Sequence, residues 1–311
     1  MRIIYFGTPS FAAEVLKFLI ENDVEVLAIV TKPDRPRGRS GKPAFSAVKE
    51  LATKNYPDIP LYQPDKASTI SFEKELSRFG ADLFVVVAYG EIMKEELLNL
   101  PKEGCINLHA SLLPKYRGAA PIQFALLDGA KETGVTIIEM VTKMDAGDML
   151  AQEKMPIPKG MNGVELEEKL CNLGKEALLR VIRNFSHYYS QKRSQDPKQV
   201  SYVQKIDPSM ARIDWNQDAE TIHNQIRAFS PRPGAWAEVE INGQLKRLKI
   251  FKSEVVDGDG EIGRPLSFSR NQWVVACGCG ALSLLEIQLE GKKRLSIADF
   301  ALGYSEPLQL K

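Results

Sequence analysis

The chain opens on a compact apolar run, Arg2 to Phe6 (RIIYF), which predicts a strand. Gly7-Thr8-Pro9 turns it into a helix whose apolar face recurs at Phe11, Val15, Leu16 and Leu19, with Thr8 as the expected N-cap and Pro9 as the first helical residue. Val24 to Val30 is a second strand, the layout of a βα unit feeding a parallel sheet through right-handed crossovers. The GTP tripeptide lacks the GxGxxG spacing, so no dinucleotide site is expected there. Helices are predicted over Ser46 to Tyr56, Phe72 to Phe79 and Glu91 to Leu100, with a short edge strand at Leu61 to Pro64. Leu83 to Tyr89 (LFVVVAY) is apolar throughout, as a strand buried on both faces requires. Cys105 to Leu108 is a further apolar segment, and a helix is expected from Pro121 to Leu127. Strands at Gly134 to Met140 and Leu150 to Ile157, then a long helix marked by Val164, Leu170, Leu173, Ala177, Val181 and Phe185, complete an α/β half with a mostly parallel sheet.

The pattern changes after residue 186. From His187 to Lys205 Ser, Gln, Lys, Arg and Pro dominate, which reads as a linker over 187–206 with a turn at Asp196-Pro197. Beyond it a helix is predicted over Asp218 to Phe229. Period-two runs follow at Ala235 to Ile241, Leu245 to Val256, Trp273 to Cys277 and Ala281 to Leu289. Asn242-Gly243 between the first two is a hairpin signal, and strands at this spacing predict a small β-barrel over 207–311. Lys246 and Lys252 would share one face of a regular strand. The expected division is therefore 1–186, a linker 187–206, and 207–311.

Composition narrows the class. At 311 residues, 44% hydrophobic and 26% charged, the chain is an ordinary globular one, with no apolar run of membrane-spanning length and no signal-peptide layout at its start. A cytoplasmic, monomeric protein is expected. Four scattered Cys do not make a disulfide framework, and Cys277 and Cys279 have no second ligand pair beside them, so no metal site is expected. A net charge of +1 offers nucleic acid no global attraction; any such contact must come from local patches. One exists at Lys32 to Lys42 (KPDRPRGRSGK), where Lys32, Arg35, Arg37, Arg39 and Lys42 face a single acid, Asp34. Its Pro and Gly residues forbid regular structure, and guanidinium groups on such a loop suit phosphates.

The candidate chemistry lies in Ile106 to Ile122 (INLHASLLPKYRGAAPI). Asn107 and His109 are two apart on a strand, hence on one face, at the carboxyl end where open α/β sheets place their sites. Taken alone, an Asn or His at a strand end is as readily a turn residue. Downstream, Asp145-Ala146-Gly147-Asp148 (DAGD) follows a strand, where an Asp beside Gly commonly caps a turn.

This segment resembles the signature of the folate-dependent formyltransferases. The resemblance implies a Rossmann-like catalytic domain and a C-terminal β-barrel of oligonucleotide-binding type. It makes Asn107, His109 and Asp145 the catalytic set and places Ser111, Leu112, Leu113 and Pro114 along the folate site. With RGAAPI continuing the motif, it further implies formyl transfer from 10-formyltetrahydrofolate to the amine of methionyl initiator tRNA, without a metal. Arg39 falls on a loop arginine of the family's tRNA-contacting insertion, and Arg35, Arg37 and Lys42 accompany it. A formyltransferase acting on a sugar nucleotide, glycinamide ribonucleotide or another small amine shares the Asn-His-Asp set, although such an acceptor requires neither the basic loop nor the barrel. A non-catalytic RNA-binding or assembly protein on the same scaffold is the alternative of another class.

Overall fold

The computed structural model describes residues 1–36, 43–241, 243–304, 308 and 310. By internal contacts the chain forms two compact units: Met1–Pro121, Thr133–Met155 and Glu167–Val203 make the first, and Ile122–Glu132, Pro156–Leu166 and Gln204–Lys311 the second.

The first unit is built on a seven-stranded sheet in the order Met149–Pro156, Glu132–Glu139, Cys105–His109, Leu83–Val87, Arg2–Gly7, Glu25–Val30, Leu61–Tyr62. The strands from Cys105–His109 to Leu61–Tyr62 pair in parallel, and Glu132–Glu139 is antiparallel to Cys105–His109. Every residue of Leu83–Val87 is buried, which explains its unbroken apolar sequence; each such side chain contributes about 1.5–3 kcal/mol. Phe6 meets Tyr89 edge to face and Phe84 at a tilt in the core on one side of the sheet. Chain order reverses between Arg2–Gly7 and Leu83–Val87, and the carboxyl ends of these strands and of Cys105–His109 lie at one edge. That edge is where a doubly wound sheet opens a crevice.

Local chemistry differs from the sequence reading at two points along that edge. The first helix, Ser10–Glu21, has Pro9 at its N-cap and no side-chain cap; the Thr8 hydroxyl instead donates to the Tyr89 carbonyl at 3.1 Å, tying two loops together. The helix expected over Glu91 to Leu100 spans only Glu95–Leu98, because Glu91 takes the Ala67 N–H at 2.8 Å and the Lys32 ammonium. Elsewhere Ser46 caps Ala47–Asn55 by accepting from the Lys49 N–H at 3.0 Å. Residues 185–203 hold a helix, Phe185–Ser190, and a short strand, Tyr202–Val203, that pairs in parallel with Arg117–Gly118.

The second unit carries a six-stranded antiparallel sheet: Ala235–Ile241, Gln244–Val256, Ala281–Leu289, Gln272–Ala276 and Pro265–Ser269 in order, with Leu295–Ser296 against Ala281–Leu289. The helix Ala219–Phe229 and one face of every long strand share a single core around Trp273, a barrel-like arrangement. The strand Gln244–Val256 is bulged on both sides of Lys252, so Ile250 and Phe251 are both buried and Lys246 and Lys252 do not share a face. Among the described residues no helix is long and apolar enough to cross a membrane.

Candidate active site

The strand Cys105–His109 is apolar except at Asn107 and His109, which its pleat turns to one face. His109 is 6% exposed, and its Nε2 lies 2.9 Å from the Tyr116 carbonyl oxygen. A carbonyl oxygen can only accept, so Nε2 carries a proton and donates it. Nδ1 is left as the ring position that can gain or lose a proton. It faces Oδ2 of Asp145 at 3.7 Å, too far for a good hydrogen bond but close enough for an ion pair once the ring is doubly protonated. Asn107 is half-buried, and its carboxamide has no hydrogen-bond partner among the described residues.

Asp145 reaches this position from a turn with unusual backbone. Its φ is 48°, in the left-handed region that Asp tolerates better than most residues. The Gly118 N–H donates to Oδ2 at 2.8 Å. Gly147, two residues on, lies so close to the end of the strand Glu132–Glu139 that a Cβ would sit 1.8 Å from the Glu139 carbonyl oxygen. Only glycine allows the turn to approach that strand.

The loop after His109 is fixed by its neighbours. Ser111 is fully buried and its hydroxyl donates to the Lys115 carbonyl at 2.7 Å. Thr136 donates to the Ser111 carbonyl at 2.7 Å and accepts from the Leu113 N–H at 3.2 Å, while the Gln152 amide donates to the Leu113 carbonyl at 2.9 Å. Leu113 points into the protein, and Leu112 and Pro114 are half-buried.

The basic loop is anchored at its root. Asp34 accepts from Lys49 at 2.5 Å and from Gln63 at 2.9 Å, and hydrogen bonds from these two neighbours hold its carboxyl below the ordinary range. Arg35 is exposed, and Arg35–Pro36 pairs antiparallel with Pro43–Ala44. Arg37, Arg39 and Lys42 lie outside the described residues.

The structure therefore brings Asn107, His109 and Asp145 to one edge of one sheet, with Ser111 to Pro114 following directly. Sequence reasoning missed the groups that hold Asp145: Gly118, Gly147 and, in the segment read as a linker, Gln195, whose side-chain amide donates to the carbonyls of Asp145 and Gly147 at 2.8 Å each. Periodicity gave no signal for them, because none belongs to a repeating pattern. A groove of about 800 Å³, lined by Met1, Asp82, Glu103 and Phe185 among others, lies at the amino-terminal edge of the sheet and includes none of the candidate residues.

An α/β sheet with a polar amide, an imidazole and a carboxylate at its carboxyl edge has the layout of a group-transfer enzyme. Residues 1–182 match the formyl transferase family model, and residues 205–305 match that of the formyl transferase C-terminal domain. The chain belongs to the formyl transferase family. It is 48% identical to a methionyl-tRNA formyltransferase of Protochlamydia amoebophila, over 98% of this chain and 96% of that one. A methionyl-tRNA formyltransferase of Streptococcus sanguinis is 43% identical over 100% of this chain and 98% of its own. In fold the chain resembles WlaRD, a sugar 3N-formyl transferase crystallised with dTDP and 5-N-formyl-THF, at a TM-score of 0.64 and 21% identity, over 94% of this chain and 99% of that one. It also resembles HypX from Aquifex aeolicus in complex with tetrahydrofolic acid, at a TM-score of 0.63 and 17% identity over 97% of this chain; the match spans 47% of HypX, about half its length.

Proposed function

We propose that this protein transfers the formyl group of 10-formyltetrahydrofolate to the α-amine of methionine esterified to initiator tRNA, in the cytoplasm. The reading rests on the near-full-length likeness to methionyl-tRNA formyltransferases together with one geometric observation: the Nδ1 of His109 facing Asp145 on the same edge as the Asn107 amide. The residues fit a folate co-substrate in kind, since Leu112 and Pro114 offer half-buried apolar surface and the Asn107 amide has hydrogen-bonding capacity to spare.

Each residue then has a defined task. The Asn107 side-chain N–H donates to the formyl oxygen as negative charge develops on it during attack by the amine; an amide does not titrate, so it donates at every pH. An α-amine titrates near pH 8, so a useful fraction is already neutral. His109 accepts the proton released by the attacking amine at Nδ1, since Nε2 is engaged with the Tyr116 carbonyl. Asp145 stabilises the resulting imidazolium across 3.7 Å, and the same ring then protonates the departing folate nitrogen. Of the segment Ser111 to Pro114, the half-buried Leu112 and Pro114 face the folate side, while the buried Ser111 and Leu113 hold the loop behind them. Arg35, Arg37, Arg39 and Lys42 meet tRNA phosphates, and the barrel of 207–311, joined through 187–206 to the catalytic part at 1–186, extends the RNA contact.

The test is an acceptor comparison. With labelled 10-formyltetrahydrofolate, transfer to methionyl initiator tRNA is expected, with little or none to an amino-sugar nucleotide or glycinamide ribonucleotide. Faster transfer to either small amine would refute the assignment.

A further inference from the structure

Gln195 lies outside every recognised motif, yet its side chain bonds two carbonyls of the Asp145 turn. Its Nε2 donates to the Asp145 carbonyl and to the Gly147 carbonyl, both at 2.8 Å. Its Oε1 accepts from Arg117 Nε at 3.0 Å and Arg117 Nη2 at 2.8 Å. The amide orientation is fixed by chemistry: flipped, it would set its NH2 against a guanidinium and its oxygen against two carbonyls, turning every contact repulsive.

Arg117 is 5% exposed and faces neutral acceptors, Gln195 and the Tyr202 hydroxyl at 3.5 Å, with no carboxylate within ion-pair distance among the described residues. A buried guanidinium without a carboxylate is costly unless its donors are satisfied, so Gln195 and Arg117 lock one another in place. The backbone extends the lock. Arg117 N–H donates to the Ser201 carbonyl at 2.9 Å, and the next residue, Gly118, is the donor to the Asp145 carboxylate. Arg193 and Met149 exchange backbone hydrogen bonds at 3.0 and 2.8 Å on the far side of the same turn. Asp145 itself adopts the left-handed φ of 48°, a conformation that persists where surroundings over-determine it.

We propose that Gln195, oriented by Arg117, is a positioning residue: it holds the turn so that the Asp145 carboxylate faces Nδ1 of His109. This rests on the catalytic reading above, which gives that geometry its importance. Gln195 acts through Asp145, by way of the two carbonyls of its turn. Displacement of a catalytic group by about 1 Å can cost on the order of a hundredfold in rate.

Gln195→Glu separates positioning from general packing. A glutamate keeps the oxygen facing Arg117, and adds an ion pair, but it has no N–H for the two carbonyls. The full-length protein is assayed as wild type, Gln195→Glu, Gln195→Ala, Asp145→Asn and the Asp145→Asn/Gln195→Ala double variant. The expected results are a loss in kcat of about tenfold to a hundredfold for both Gln195 variants, folate KM within about twofold of wild type, and a melting temperature for Gln195→Glu no lower than that of Gln195→Ala, because the glutamate keeps the contact to Arg117. The double variant is expected to be no slower than Asp145→Asn alone, because a residue acting through Asp145 has nothing left to position. The 15N spectrum of the His109 ring supplies a readout without turnover: Gln195→Glu should move the Nδ1 resonance, and a surface control such as Lys198→Gln should not. An unmoved resonance, a Gln195→Glu variant with wild-type kcat, or additive losses in the double variant would overturn the proposal. If wild type transfers no formyl group, the catalytic reading fails, and the ring spectrum still decides whether Gln195 sets the His109 to Asp145 geometry.

Discussion

Two aspartates sit at opposite edges of the same sheet. Asp82, at the amino-terminal edge just before Leu83–Val87, accepts from the Arg2 N–H at 2.8 Å and from Lys102 at 2.9 Å, with the Arg2 guanidinium 3.5 Å away. The Arg2 backbone N–H first, and then Lys102, hold its carboxyl far below the ordinary 3.8. Its charge is matched by a backbone N–H and two surface cations. Asp145, at the carboxyl edge, has one N–H donor to its carboxylate and faces a histidine nitrogen at 3.7 Å that pairs with it only when protonated. A saturated carboxylate staples the chain. A carboxylate whose counter-charge can come and go supports proton transfer. The elements that make the difference are the opposite ends of parallel strands and what each loop carries back to them.

The largest expected effects lie at the carboxyl edge. His109→Ala and Asn107→Ala should each lower formyl transfer about a hundredfold or more, measured as kcat with saturating folate and acceptor, whereas Asp82→Asn should leave kcat within about twofold of wild type. An Asp82→Asn variant as slow as His109→Ala would erase the distinction between the two edges.

Next comes Gly147→Ala. Its Cβ would meet the Glu139 carbonyl oxygen at 1.8 Å, so the Asp145 turn must shift; a stability loss of about 1–3 kcal/mol in denaturant unfolding, with a fall in kcat, is expected. Unchanged unfolding would show that the turn has room the structure denies it.

A smaller change is expected from Arg39→Ala, a residue proposed above to meet tRNA phosphates. It should raise the tRNA KM with folate KM unchanged, and reduce the slope of log affinity against log salt by about one. Equal loss for both substrates would refute that division.

The smallest effect concerns acid stability. Because the folded state depresses the Asp82 carboxyl below 3.8, the folded protein favours the ionised form. The contribution is present above pH 4 or so and is lost as pH falls through the folded value. Asp82→Asn should therefore flatten the acid limb of a melting-temperature profile while leaving it unchanged in slope near neutrality. A wild-type acid limb in that variant would show that Asp82 is not the group responsible.

Much of this was legible in the amino-acid order, and the illegible part has a common cause. The buried strands Leu83–Val87 and Ala235–Ile241 announced themselves because burial on two faces or one writes a repeating pattern. Asn107 and His109 stood out as polar interruptions of an apolar strand. Gln195 and Arg117 could not be read, since their partners are backbone carbonyls and each other's side chains across 78 residues of chain. The segment around Gln195 is polar because it hydrogen-bonds along the catalytic unit, and the same composition describes a solvated connection. Thr8 obeyed the capping rule in sequence, yet its hydroxyl found the Tyr89 carbonyl, a partner 81 residues away. Lys252 fell to a bulge, which shifts the faces of a strand without altering its composition.

The measurement closest to the centre of the account is single-turnover transfer of a labelled formyl group from 10-formyltetrahydrofolate to methionyl initiator tRNA by wild type and by Asp145→Asn. That substitution keeps an oxygen for the Gly118 N–H and removes only the charge opposite His109. The expected result is a chemical step slowed about a hundredfold or more, with both substrates still bound. A neutral side chain that supports the wild-type rate would contradict it.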